Sequence, residues 1–143
     1  MRTGGFPVPT RPRRAATPQA GQAGFAPAGW PAGVRPPDAP DWEANATAWL
    51  LDQCPPEYRG HRAVRDQPVV LARFTVHHVE ASRDAVHRAL SEARADLPKV
   101  VDPSVVEGAV QAWLHEEARL QGLRRAVGLV EEALRGRRFP ARL

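Results

Sequence analysis

Apolar residues recur along two stretches of the chain at alternating intervals of three and four. The first stripe is Val69, Ala72, Val76, Val79, Arg83, Val86, Leu90, Ala93 and Leu97. The second is Val106, Ala109, Trp113, Glu116, Leu120, Leu123, Val127, Val130 and Leu134. A 3-4 repeat places every member on one face of an α-helix, and a run this long describes a coiled-coil seam. Two such stripes separated by a short proline-bearing loop predict an all-α fold. Its main element is a long antiparallel helical hairpin over about residues 67–97 and 103–135.

The punctuation agrees. Asp66 is placed to cap the first long helix and Pro68 to occupy its first turn, where the missing N–H costs nothing. Pro98 ends that helix, and Asp102-Pro103 restarts the chain as cap and first helical position. Gly136 followed by Pro140 ends the second helix. Upstream, Asp41 precedes Trp42, Ala46, Trp49 and Leu50, which share one face of a shorter helix over about 41–52. Cys54-Pro55-Pro56 stops it, and Glu57–Gly60 reads as a single turn.

Antiparallel helices pair positions whose numbers have a nearly constant sum. Leu97 with Val106, Ala93 with Ala109 and Leu90 with Trp113 all give 202 or 203. On one flank, Arg73, Glu80 and His87 then oppose Glu131, Arg124 and Glu117, each pair adding to 204. The two Arg–Glu combinations are complementary in charge and His–Glu becomes so when the imidazole is protonated, which supports the register independently of the seam. The other flank is built differently, mostly of small residues, with Thr75, Ser82 and Ala89 opposite Ala126, Arg119 and Ala112. The short helix is expected to pack there. Each stripe also carries one charge, Arg83 and Glu116, in adjacent layers. They are expected to form a structural ion pair that sets the register, because an unpaired charge at a helix seam is costly.

Composition divides the chain. Residues 1–40 hold nine of the 15 prolines, six of the 11 glycines, five arginines and a single acid, Asp38. The rest carries 15 basic and 15 acidic residues, so the net charge of +4 belongs to the first segment. That segment is expected to be a disordered Pro/Gly/Arg-rich arm, too poor in apolar surface to offset its chain entropy. Residues 41–143 are then a single helical domain. No apolar run approaches the roughly 20 residues that cross a membrane, and nothing resembles an export signal. With one cysteine, Cys54, no internal disulfide forms, and a cytoplasmic location is expected.

Candidate chemistry is sparse. His77, Glu80, Asp84 and His87 share one helix face at 3-4-3 spacing, a set that could ligate a metal if a second helix completed it. The flank position of this face and the lack of an HExxH motif favour a solvated surface instead. Cys54 has His61 nearby but no acid placed to orient the imidazole. No Gly-x-Ser-x-Gly setting or phosphate-binding glycine loop is present. No catalytic residue, cofactor site or metal site is therefore assigned. Arginines crowd both ends, as Arg11, Arg13 and Arg14 and as Arg135, Arg137, Arg138 and Arg142. These are candidate phosphate contacts of a nucleic-acid-associated factor.

The stretches Trp49–Arg59 (WLLDQCPPEYR), Pro68–Arg73 (PVVLAR) and Arg125–Leu134 (RAVGLVEEAL) resemble short uncharacterised helical proteins of high-GC actinobacteria over residues 42–143. That resemblance implies no activity. The expected function is a non-catalytic helical interaction module, an adaptor or accessory subunit, that meets a protein partner or a second copy of itself. Trp42, Trp49, Leu71, Val110, Leu114 and Leu129 form its candidate partner surface. A nucleic-acid-associated factor, and a metal-binding or enzymatic protein using the His77–His87 face, are the alternatives.

Overall fold

The computed structural model describes residues 4–5 and 25–141. Among them every regular element is helical. Helix α1 spans Trp42–Asp52, a 3₁₀ turn follows at Pro56–Gly60, and α2 is a single turn at Arg62–Arg65. Helix α3 spans Pro68–Ala95, a second 3₁₀ turn occupies Leu97–Lys99, and α4 spans Pro103–Leu134. At 1.5 Å per residue, α3 and α4 are about 42 and 48 Å long. They pack against each other along their length as the antiparallel hairpin.

The helix ends follow from local chemistry, with two departures from expectation. Asp102 caps α4 as predicted, its carboxylate accepting from the Ser104 backbone N–H at 2.8 Å. Gly136 has φ +103° and turns the chain after α4, a backbone that side chains resist. Asp41, by contrast, makes no side-chain cap. It adopts a left-handed conformation (φ 58°) that swings the preceding chain across α1. Asp66 closes α2, and Gln67 occupies the position before α3 without a side-chain cap.

The core lies in two parts. The larger one fills the root of the hairpin, where α1 covers α3 and α4. It contains Val34, Trp42, Ala46, Leu50, Leu51, Leu71, Val76, Val79, Leu120, Val127 and Val130. The smaller one lies near the loop end, where Ala93, Val106 and Val110 are buried with Leu90, Leu97 and Trp113 around them. Helix α1 is about 17 Å long and cannot span both. Its last residue, Asp52, and the Gln53 that follows it line one hollow with Ser82, while Ala112 is exposed. The far half of the hairpin is thus two helices without a third.

The chain is folded well before residue 41. Backbone hydrogen bonds from Trp30 to Pro27, Val34 to Pro31 and Ala39 to Pro36 make three successive turns. Val34 is buried, and Trp30 packs at 6.3 Å from Trp42 and 6.1 Å from Phe139. The Asn45 amide clamps this segment to α1, donating to Gly33 O at 3.1 Å and accepting from Arg35 N at 2.7 Å. Part of the expected arm, residues 25–40, therefore belongs to the folded body. Proline restricts φ in the unfolded chain as well, so turns built on it lose little entropy on folding. Trp30 then supplies the apolar area.

Candidate functional site

The charged flank forms as the register requires. Arg124 Nε donates to Glu80 Oε1 at 2.8 Å, His87 Nε2 lies 2.8 Å from Glu117 Oε1, and Arg73 Nε is 3.3 Å from Glu131. The Arg124 hydrogen bond holds the Glu80 carboxyl below the usual range of a glutamate. Two members of the His77–His87 face are thus engaged across the hairpin. Among the described residues, no group of three or more His, Cys, Asp or Glu side chains is arranged to hold a metal ion.

The seam charges do not pair with each other. Glu116 binds Arg119 on its own helix, at 2.8 Å from Nε and 2.6 Å from Nη2, and this lowers the Glu116 pKa. Arg83 is half-buried and its Nε is buried without a hydrogen-bond partner. Glu117, the other acid within one residue, is occupied by His87. The expected Arg83–Glu116 ion pair is therefore replaced by a local i,i+3 pair, whose geometry needs no burial of either charge. Beside it, Asp52, His78, Ser82, Glu116 and Arg119 line a polar hollow of about 190 Å³ where α1 ends against the hairpin.

Cys54 is buried, with its Sγ 3.2 Å from Thr75 Oγ1, and Thr75 in turn donates to Leu71 O at 2.7 Å. Burial pushes the thiol pKa up, which keeps the sulfur protonated and a poor nucleophile. His61 packs edge-on against Tyr58, which stacks on Phe74 at 4.3 Å; Phe74 stacks on His78 at 5.9 Å. These rings are already occupied by one another.

The expected partner surface divides. Trp42, Leu71 and Val110 are buried, since the root and tip cores absorb them. Trp49 is half-buried against Gly33, and Leu129 half-buried beside Phe25. Leu114 is 40 % exposed. The most exposed large aliphatic side chains sit instead at the loop end: Val100 at 78 % and Val105 at 58 %, with Val101 beside them. The sequence contained this signal. Val100 and Val101 fall in the loop, outside either stripe.

The C-terminal arginines have partners within the fold. Arg138 Nε donates to both carboxylate oxygens of Asp38 at 2.8 and 2.9 Å and its guanidinium lies 5.9 Å from the Trp42 ring. Arg137 pairs with Glu132, and Arg135 is 3.7 Å from Glu131. Arg11, Arg13, Arg14 and Arg142 lie outside the described residues. No described helix is long and apolar enough to cross a membrane. Comparison of the chain with protein-family models, with curated proteins and with solved structures returns no match.

Proposed function

We propose that the chain is a non-catalytic helical interaction module, an adaptor or accessory subunit, that meets a protein partner through the far half of its hairpin. One observation carries this reading. Helix α1 and residues 25–40 cover most of the root core, leaving Val70 and Phe25 exposed there, whereas the loop end has no third element and presents Val100 and Val105, the two most exposed large aliphatic side chains described, with Val101 beside them. An aliphatic group held at the end of a rigid two-helix arm suits docking into an apolar recess of another protein. The nucleic-acid reading is less supported, because Arg135, Arg137 and Arg138 have internal partners. A cytoplasmic location accompanies the proposal, resting on the single free thiol.

A photo-crosslinking residue placed at Val100 tests it in the native cells. The expected result is a discrete adduct with one protein, absent when the probe is moved to exposed Asp84 and lost on adding Val105→Asp. Equal labelling from both positions, or none, would overturn the reading. Light scattering over a concentration series identifies the partner as a second copy if a dimer forms that Val105→Asp dissociates.

A further inference from the structure

We infer that the cleft between residues 25–28 and the C-terminal end of α4 binds a small organic monocarboxylate with an apolar body. The cleft has a volume of about 630 Å³, within the roughly 300–1,000 Å³ range of small-molecule sites. Its walls are mostly apolar, from Phe25, Leu129, Phe139 and Pro140, and its polar lining includes two guanidinium groups, Arg125 and Arg137. An apolar body would be desolvated by these walls, and a single negative charge would complement an unpaired guanidinium among them.

The two arginines differ. Arg137 is engaged by Glu132 and its guanidinium lies 5.0 Å from the centre of the Phe139 ring. It closes the wall and has its charge balanced. Arg125 has no carboxylate partner among the described residues. Among the described residues its hydrogen bond, from Nη2 to Ala28 O at 3.2 Å, is to a neutral acceptor. A guanidinium has five N–H donors in a rigid fork that matches a carboxylate, so most of its donors are free for one.

The backbone beside Arg125 leaves room for its side chain. Gly29 has φ +90°, and a Cβ at that position would lie 2.7 Å from Arg125 Nε and 3.0 Å from Cδ. The Arg125 side chain therefore crosses bare backbone at Gly29, whose positive φ favours glycine, and its Nη2 bonds the Ala28 carbonyl beside it. Phe25 is 46 % exposed at the mouth, where an apolar ligand would cover it. The cleft is at the root of the hairpin, so the proposal is independent of docking through the loop end.

The test titrates 2-naphthoate into the full-length isotope-labelled protein, with neutral, nearly isosteric 2-naphthamide as comparison. Chemical shifts of the Phe139 ring and the Arg125 Nε–H group report occupancy. The naphthoate is expected to bind about ten- to a hundredfold more tightly than the amide, the weight of a hydrogen bond to a charged group. Arg125→Gln is expected to bring naphthoate down to the amide's affinity. Arg135→Gln, outside the cleft lining and 3.7 Å from Glu131, is expected to change it by no more than about threefold. Arg125→Lys guards against a folding defect, and is expected to retain part of the preference for the anion. Equal affinity for the two probes, unchanged binding in Arg125→Gln, or shifts confined to other parts of the molecule would overturn the proposal.

Discussion

Arg124 Nε donates a 2.8 Å hydrogen bond to Glu80 Oε1 across 44 positions of the chain, at the pairing that the two heptad stripes require. Both side chains are partly exposed, so the bond's energy is modest, but its geometry is specific to one register. Sliding one helix by a turn would remove Arg124 from Glu80 and break the two matching pairs, Arg73–Glu131 and His87–Glu117. Charge reversal isolates the contribution. Glu80→Arg and Arg124→Glu are each expected to lower stability, and the double variant to recover much of the loss. The coupling from urea unfolding is expected to be about 0.2–1 kcal/mol. A coupling indistinguishable from zero would mean that the seam alone determines the register.

Arg83 is the opposite case. Its Nε is buried with no partner, while the acid expected to meet it, Glu116, is bound to Arg119. An orphaned buried donor costs about 1–3 kcal/mol. Arg83→Met keeps the aliphatic stem in the seam and removes the donor, and is expected to stabilise the protein by about 1 kcal/mol, the low end because the residue is only half-buried. Glu116→Ala is expected to cost less than about 1 kcal/mol, as for an exposed i,i+3 pair. Both are read from urea midpoints. A large loss of stability in Arg83→Met would show that the guanidinium has a partner that matters.

What was legible in the sequence follows from which forces are local or periodic. Helix boundaries came within a residue or two because Pro68, Pro98, Pro103 and Gly136 act on their own backbones. The cross-helix flank was readable because a constant sum converts periodicity into pairing. The Arg83–Glu116 pair was misjudged because Glu116 turns to the nearer Arg119 and leaves Arg83 without the acid expected to meet it; periodicity describes where a Cβ sits, not where a charge goes. Residues 25–40 were read by composition as an arm. The four- to five-residue spacing of Pro27, Pro31 and Pro36 around Trp30 is a turn signal that composition averages away. The cleft around Arg125 depends on segments 97 residues apart, and no local pattern announces it.

Acid is expected to weaken the fold through named carboxylates. Glu80 is held below its ordinary value of 4.5 chiefly by the Arg124 hydrogen bond, and Glu116 likewise by Arg119. Asp102 is held below 3.8 by Ser104. A depressed folded-state pKa means that the unfolded chain binds protons first as pH falls. The stabilisation is present above the ordinary values and is lost below them, as pH drops through the folded-state values. Stability from urea unfolding is expected to be flat near neutrality on account of these groups and to decline from about pH 4.5 downward. The decline is expected to be shallower in the Glu80→Gln, Glu116→Gln double variant. An unchanged slope in that variant would assign acid sensitivity to other groups.

The segment before α1 offers the most direct test of how far the folded body extends. Trp30 is half-buried between Trp42 and Phe139, with its indole N–H bonded to Val34 O at 2.9 Å. Fully buried Trp→Ala substitutions cost about 3–5 kcal/mol, so Trp30→Ala is expected to cost about 2 kcal/mol, scaled for its partial exposure. Asp38→Asn breaks the charge of the Arg138 contact, but both side chains are substantially exposed. It is expected to cost less than about 1 kcal/mol. The contrast between them matters more than either value. Apolar packing, rather than the ion pair, is what holds residues 25–40 against the hairpin. Urea midpoints give both values, and Phe139 ring shifts report whether the indole was in place. A Trp30→Ala protein as stable as wild type, with unmoved Phe139 resonances, would place the boundary of the folded domain back at α1.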